Sequence, residues 1–241
     1  MAKWFIEGSW RNKDLISRYA VKCPLFDHIQ NITILVLCIS QILYLRDFKL
    51  SLLMESKDIL KVHLAKTITL TDDEFDYFYS HFKPYSFKKG QTIISVGERV
   101  NSEYFVLDGC LKTFYVNDDQ KMFILQFAMS SWWASDYNAL YSGVDATVNL
   151  DCITDTEVLC LSSEDRERLC REIYPLEYFF RWRSNKGFVA TQKRLLSFMN
   201  NDAKHRYEEL LSMYPLLYNV VPKHLIAAYL GVSRETLSRL Y

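Results

Sequence analysis

The last twenty residues, Pro222 to Tyr241 (PKHLIAAYLGVSRETLSRLY), constrain the chain more than any other stretch. Apolar side chains recur at Ile226 and Leu230, at Val232, and at Leu237 and Leu240. That spacing gives two short helices one apolar face each. Gly231 between them suits the left-handed conformation that ends a helix. Ser233 is placed to cap the second helix, and Glu235 in its first turn complements the positive end of the helix dipole. Pro222 is tolerated where the first helix begins, and Ala227 leaves room for the second helix to cross closely. The pattern is a helix-turn-helix. Its second helix keeps Arg234, Glu235, Ser238 and Arg239 on the exposed face. Arginine pairs bidentately with guanine O6 and N7, and glutamate accepts from cytosine N4. This face therefore suits a major groove better than bare solvent.

The run Gly231-Val232-Ser233-Arg234-Glu235-Thr236-Leu237-Ser238-Arg239 resembles the recognition helix of the CRP/FNR family of bacterial transcription regulators. The resemblance implies base contacts from Arg234, Glu235 and Arg239. It places Ser233, Thr236 and Ser238 near the phosphate backbone, and Lys223 reads as a further phosphate contact. Recognition helices of the family usually run on past this point into basic residues. Here the helix spans about eight residues, roughly 12 Å at 1.5 Å per residue. That shortness keeps a second reading open, a dimeric scaffold or interaction protein with degenerate DNA binding.

Bulk charge does not announce a nucleic acid, because the formal net charge is zero. Its distribution says more: from Ala190 onward seven Lys/Arg stand against four acids, on a body that is correspondingly acidic. The 241 residues suffice for two modest domains. Six cysteines (23, 38, 110, 152, 160, 170) show no CxxC and no cluster. They read as small buried hydrophobes in a reducing cytosol, with no metal and no cofactor. Residues 31–45 are largely apolar, but fifteen residues are too few to span a bilayer, and no cleavage site follows. Residues 1–53 are expected to be an extension without a role, the functional protein beginning at Met54. An interfacial or partner-binding helix and a membrane anchor are the alternatives for that segment.

From Asp58 to Phe82 helical periodicity predicts two packing helices, with a capping box at Thr71 to Glu74. From Lys83 to Ser162 short runs alternate with turns: Thr92–Val96, Tyr104–Leu107, Cys110–Val116, Met122–Ala128, Thr147–Ile153 and Glu157–Leu161. Asp108-Gly109 reads as a hairpin turn. Such spacing predicts an antiparallel barrel or sandwich. The order resembles the β-roll of the family's cyclic-nucleotide-binding domain, with Gly90, Gly97 and Gly109 at matching turns. Tyr174 to Asn200 predicts a helix about 40 Å long. Leu176, Phe180, Phe188, Leu195 and Met199 form its stripe, interrupted by Arg183 and Gly187. The resemblance makes this helix the dimer seam. A further helix, Ala203–Met213, supports the helix-turn-helix.

The ligand site departs from the family pattern. No Lys or Arg occurs from Met122 through Asp165, while seven acids do. A buried phosphate needs a cation or a nest of amides, so the roll is not expected to bind cyclic nucleotide. Trp132, Trp133, Asp136, Tyr137 and Tyr141 are the candidates for an effector pocket, with core packing as the other explanation. The expected fold is α+β: a β-roll sensor of the double-stranded β-helix type over residues 54–172, a dimerisation helix over 173–200, and a winged-helix/helix-turn-helix domain over 201–241. The expected protein is a cytoplasmic, non-enzymatic transcription regulator. Its partners are double-stranded DNA, a second copy and, by the resemblance, RNA polymerase, with an unknown small-molecule effector and no membrane.

Overall fold

The computed structural model describes residues 55–215 and 217–239, all within one compact unit, Asp47–Tyr241. The expectations for residues 1–53, and for Leu240 in the apolar pattern, lie outside the described residues. The two expected helices are α1 (Ser56–Ala65) and α2 (Asp72–Ser80). Thr71 and Glu74 close the capping box: the Thr71 hydroxyl accepts from Glu74 N at 3.2 Å, and Thr71 N donates to the Glu74 carboxylate at 2.8 Å.

Eight strands follow: β1 (Lys83–Phe87), β2 (Thr92–Ile94), β3 (Ser102–Asp108), β4 (Cys110–Val116), β5 (Met122–Met129), β6 (Trp133–Ala134), β7 (Asn149–Cys152) and β8 (Thr156–Ser162). A short helix, α3 (Tyr137–Ser142), lies between β6 and β7. All pairings are antiparallel, in two four-stranded sheets ordered β1-β8-β3-β6 and β2-β7-β4-β5. This is the expected roll. The hairpin reading of Asp108-Gly109 is corrected, because β3 and β4 lie in different sheets. Gly109 has φ +94° and passes so close to the chain that an added Cβ would lie 2.4 Å from the Asp155 carbonyl. The glycine is needed where the chain crosses between sheets, and that demand looks like a turn signal.

Strand alternation divides the apolar residues by face. Val106 and Val158 of one sheet meet Leu111, Ala128, Leu150 and Cys152 of the other, filling the space between them. Phe105, Leu107, Leu159 and Leu161 point outward to α1 and α2, to α4 (Ser163–Glu172) and to α5 (Tyr174–Asn200). Phe114, Ile124, Phe127 and Met129, on the outer face of β4 and β5, pack against the C-terminal helices: α6 (Ala203–Met213), α7 (Leu217–Val220) and α8 (Lys223–Leu230).

The 27-residue α5 covers the predicted span and carries two stripes rather than one. Leu176, Phe180, Arg183, Arg194 and Ser197 face the body of the protein, and Leu176, Phe180 and Ser197 are buried. On the opposite side Phe188, Leu195 and Met199 are 71%, 60% and 72% exposed. The single stripe expected from sequence merges these faces. Arg183 and Gly187 do not interrupt the solvent stripe, since at 100° per residue they fall on the inward one. Among the described residues no helix is long and apolar enough to cross a membrane.

Candidate nucleic-acid interface

The C-terminal motif folds as its residues demand. Gly231 ends α8 in the left-handed conformation (φ 69°, ψ 29°), and its N–H returns to the Ala227 carbonyl. The Ser233 hydroxyl accepts from Thr236 N at 3.1 Å and caps α9 (Arg234–Ser238). Leu237 is buried and holds α9 onto the helices behind it. Arg234, Glu235, Ser238 and Arg239 line one open surface cleft. The Glu235 carboxyl is held below its ordinary range by its own amide and by the Ser233 hydroxyl, so an anionic acceptor stands beside two guanidinium donors. Ser233 and Thr236 are exposed but engaged in the cap, their hydroxyls 3.1 Å apart. Lys223 is exposed at the start of α8.

Helix α8 has a second apolar face beyond the one expected from its sequence. Ile226 and Leu230 belong to the interior of the helix-turn-helix, whereas Leu225 and Tyr229, also i and i+4, are buried as well. Tyr229 stacks on Phe127 of β5 with centroids 5.3 Å apart. The helix-turn-helix is thus packed on the roll of the same chain.

The five candidate effector residues do not gather into one pocket. Trp132 points away from the rest and packs on Tyr214, 5.3 Å between centroids. Trp133 is buried against Phe105 and Phe180, while Tyr137 and Tyr141 stack on each other at 6.0 Å. Cations do reach these aromatics, but from outside the stretch that has none. Arg166 of α4 lies 4.7 Å over the Tyr141 ring, and Arg183 of α5 lies 4.4 Å over Trp133. Arg183 also pairs with the buried Glu103 of β3 at 2.5 Å. Eighty residues separate that pair, and no local sequence signal joins them. Next to Trp133, burial and the Lys66 and Arg183 charges hold the His63 imidazole down to about 4, so it is neutral at physiological pH.

Asp136 is the most informative of the five. Its buried carboxylate accepts from Ala139 N (3.1 Å), Thr147 N (2.7 Å), Thr147 Oγ1 (3.0 Å) and Val148 N (3.2 Å). Burial alone would raise its pKa, but these donors outweigh burial and hold the carboxyl below its ordinary value. The roll therefore contains an amide nest fit for an anion, and the chain's own carboxylate fills it. Among the described residues no group of three or more His, Cys, Asp or Glu could hold a metal ion.

Residues 84–172 match the family described as Cyclic nucleotide-binding domain. No curated protein sequence matches the chain. Among solved structures, FixK2 from Bradyrhizobium japonicum is similar over 66% of this chain and 82% of its own, with TM-score 0.58 and 18% identity. The c-di-GMP responsive global regulator CLP from Xanthomonas campestris is similar over 70% of this chain and 89% of its own, with TM-score 0.55 and 17% identity. A putative transcriptional regulator of the CRP/FNR family from Eubacterium rectale is similar over 71% of this chain and 82% of its own, with TM-score 0.55 and 16% identity.

Proposed function

From the premise that the chain has the cyclic-nucleotide-binding roll and the fold of the CRP/FNR transcription regulators, we propose that it is a dimeric, cytoplasmic, DNA-binding transcription regulator whose roll takes no cyclic nucleotide. One observation carries the reading: Arg234, Glu235, Ser238 and Arg239 converge on a single open face of α9. Two fork-shaped cationic donors and one carboxylate acceptor within about one and a half helix turns form a set that can discriminate base pairs. Lys223, Ser233 and Thr236 flank this face and position it on phosphates.

The dimer is supported by the outward stripe of α5. Phe188, Leu195 and Met199 lie on one side of a long helix whose opposite side already faces its own body. A second copy packing the same stripe buries these residues in a two-helix seam. RNA polymerase is the further partner of this reading.

Occupancy rather than charge supports a roll that takes no cyclic nucleotide, since cations do reach this region from Arg166 and Arg183. In this reading the Asp136 carboxylate, which holds the amides of Ala139, Thr147 and Val148, leaves them unavailable to a second anion. Arg183 closes the roll from α5 by its pairing with Glu103. The experiment is selection from random-sequence DNA with the full chain. Enrichment of a two-fold symmetric motif is expected, with half-sites about one helical turn (roughly 34 Å) apart. Failure to enrich any motif overturns the reading.

A further inference from the structure

At the junction of roll, long helix and reader stands the half-buried guanidinium of Arg194. Strand β5 is the edge of its sheet, and it carries a bulge: the register passes from Thr113↔Gln126 to Phe114↔Ile124, leaving Leu125 without a partner. Bulges and edges leave carbonyls unpaired. Arg194 of α5 reaches this point and donates to the carbonyls of Leu125 and of Ile124, the latter at 2.6 Å. The same group donates to the Tyr229 carbonyl at 3.1 Å, in the last turn of α8, where helix carbonyls lack an intrahelical partner. It lies 3.9 Å over the Tyr229 ring and 5.3 Å from that of Phe198. Arg206 completes the arrangement from α6: it donates to the Leu230 carbonyl at 3.2 Å and the Asn201 carbonyl at 2.6 Å, and stacks on the same Phe198 at 5.0 Å.

No carboxylate among the described residues pairs with Arg194; carbonyl dipoles and ring faces offset its charge. The guanidinium bridges the connection at Asn201-Asp202, the one break between the long helix and the reader helices. Ser197 and Asn201 also donate to the Glu209 carboxylate of α6, and Arg206 ties α6 to α8, but it is Arg194 that joins α5, the roll strand β5 and α8 at one point. Arg194 also stands next to Leu195, on the outward stripe. One turn of α5 therefore links the dimer seam to the reader.

We propose that Arg194 is a positioning residue that fixes the spacing between the two DNA half-sites, by locking each reader to its roll and to the seam helix. The inference rests on the dimeric DNA-reading proposal above. A planar fork spans carbonyls on both β5 and α8 in fixed directions, whereas a lysine ammonium is a compact three-donor point on a flexible stem. Each base pair added between half-sites turns the second by about 36° and moves it about 3.4 Å. A locked pair of readers tolerates little of this, and a swivelling pair tolerates much.

The test uses the full chain with Arg194→Lys and Arg194→Met, and duplexes carrying the selected half-sites with spacers altered by one to four base pairs. The unsubstituted chain is expected to prefer one spacing over spacers two base pairs longer or shorter by at least ~10-fold, the scale of one mismatched base pair. Both variants are expected to bind all spacers within about threefold, with an unchanged half-site motif, since α9 itself is untouched. Arg194→Lys keeps the charge and stem and serves where the methionine variant fails to fold. A second readout needs no DNA: proteolytic cleavage between residues 200 and 204 is expected to rise in Arg194→Lys. An Arg194→Lys dimer that keeps the original spacing preference, or unchanged cleavage at the connection, overturns the inference. Enrichment of no motif by the unsubstituted chain instead overturns the DNA-reading proposal on which it rests.

Discussion

Replacing Asp136 with alanine removes the anion that holds α3 and the Thr147-Val148 backbone together. Its carboxylate accepts from three amides and one hydroxyl, at 2.7–3.2 Å. A hydrogen bond to a charged group contributes about 1.5–3 kcal/mol, but four donors sharing one carboxylate do not add, and water can enter the vacated space, so the expected loss is about 3–5 kcal/mol. At about 2–4 °C per kcal/mol for a domain of this size, the melting temperature falls by roughly 6–20 °C. Denaturant and thermal unfolding at pH 7 measure both. The sign of the pH dependence is fixed by the lowered folded pKa. The stabilisation is present above the unfolded carboxyl's value of about 3.9 and is lost as pH falls through the lower folded value. The difference between wild type and Asp136→Ala therefore narrows in acid. Sulfate at millimolar concentration is expected to restore part of the variant's stability by entering the emptied nest. A loss below about 1 kcal/mol at pH 7, or a difference independent of pH, refutes the reasoning.

Calorimetric titration of the unsubstituted chain with millimolar cyclic AMP or cyclic GMP is expected to give no saturable heat; saturation with micromolar affinity sinks the filled-nest reading. The two faces of α5 are separable by mutation. Phe188→Glu, on the outward stripe, is expected to convert a dimer to monomers in sedimentation velocity without melting the roll. Phe180→Ala, on the buried stripe, is expected to cost about 3–5 kcal/mol in stability and to leave a dimer. Equal loss of dimer in both variants would show that the outward stripe is not the seam.

Much of this architecture is legible in the sequence where a local pattern decides it. Helices α5 and α6 and strand β4 occupy their predicted ranges, and the Thr71 capping box and Gly231 turn form as their residues dictate. The misses share a cause, since each depends on neighbours distant along the chain. Helix α4 buries only Leu169 among ten residues, so it has no apolar stripe to read; its signals are the Ser162 cap and the acids Glu164 and Asp165 behind it. Strand β1 is mostly exposed and exists because it pairs with β8. Gly109 has the same sequence context in a crossing as in a hairpin. The cations near the aromatic cluster, Arg166 and Arg183, arrive from helices whose arginines lie beyond the cation-free stretch. Leu225 and Tyr229 are visible as an i,i+4 pair, but a second apolar face has meaning only once a sheet lies against it.

The most direct measurement of groove reading by α9 is a salt-dependent binding titration of the selected DNA site against scrambled DNA, with wild type, Arg239→Ala and Lys223→Ala. Arg239→Ala is expected to cost about 1–3 kcal/mol per half-site and to relax discrimination at one base position. Lys223→Ala is expected to weaken selected and scrambled DNA alike and to reduce the salt slope by about one unit for each phosphate left unneutralised. If both variants lose affinity in the same way on both DNAs, α9 does not read bases, and the chain is not the sequence-specific regulator proposed above.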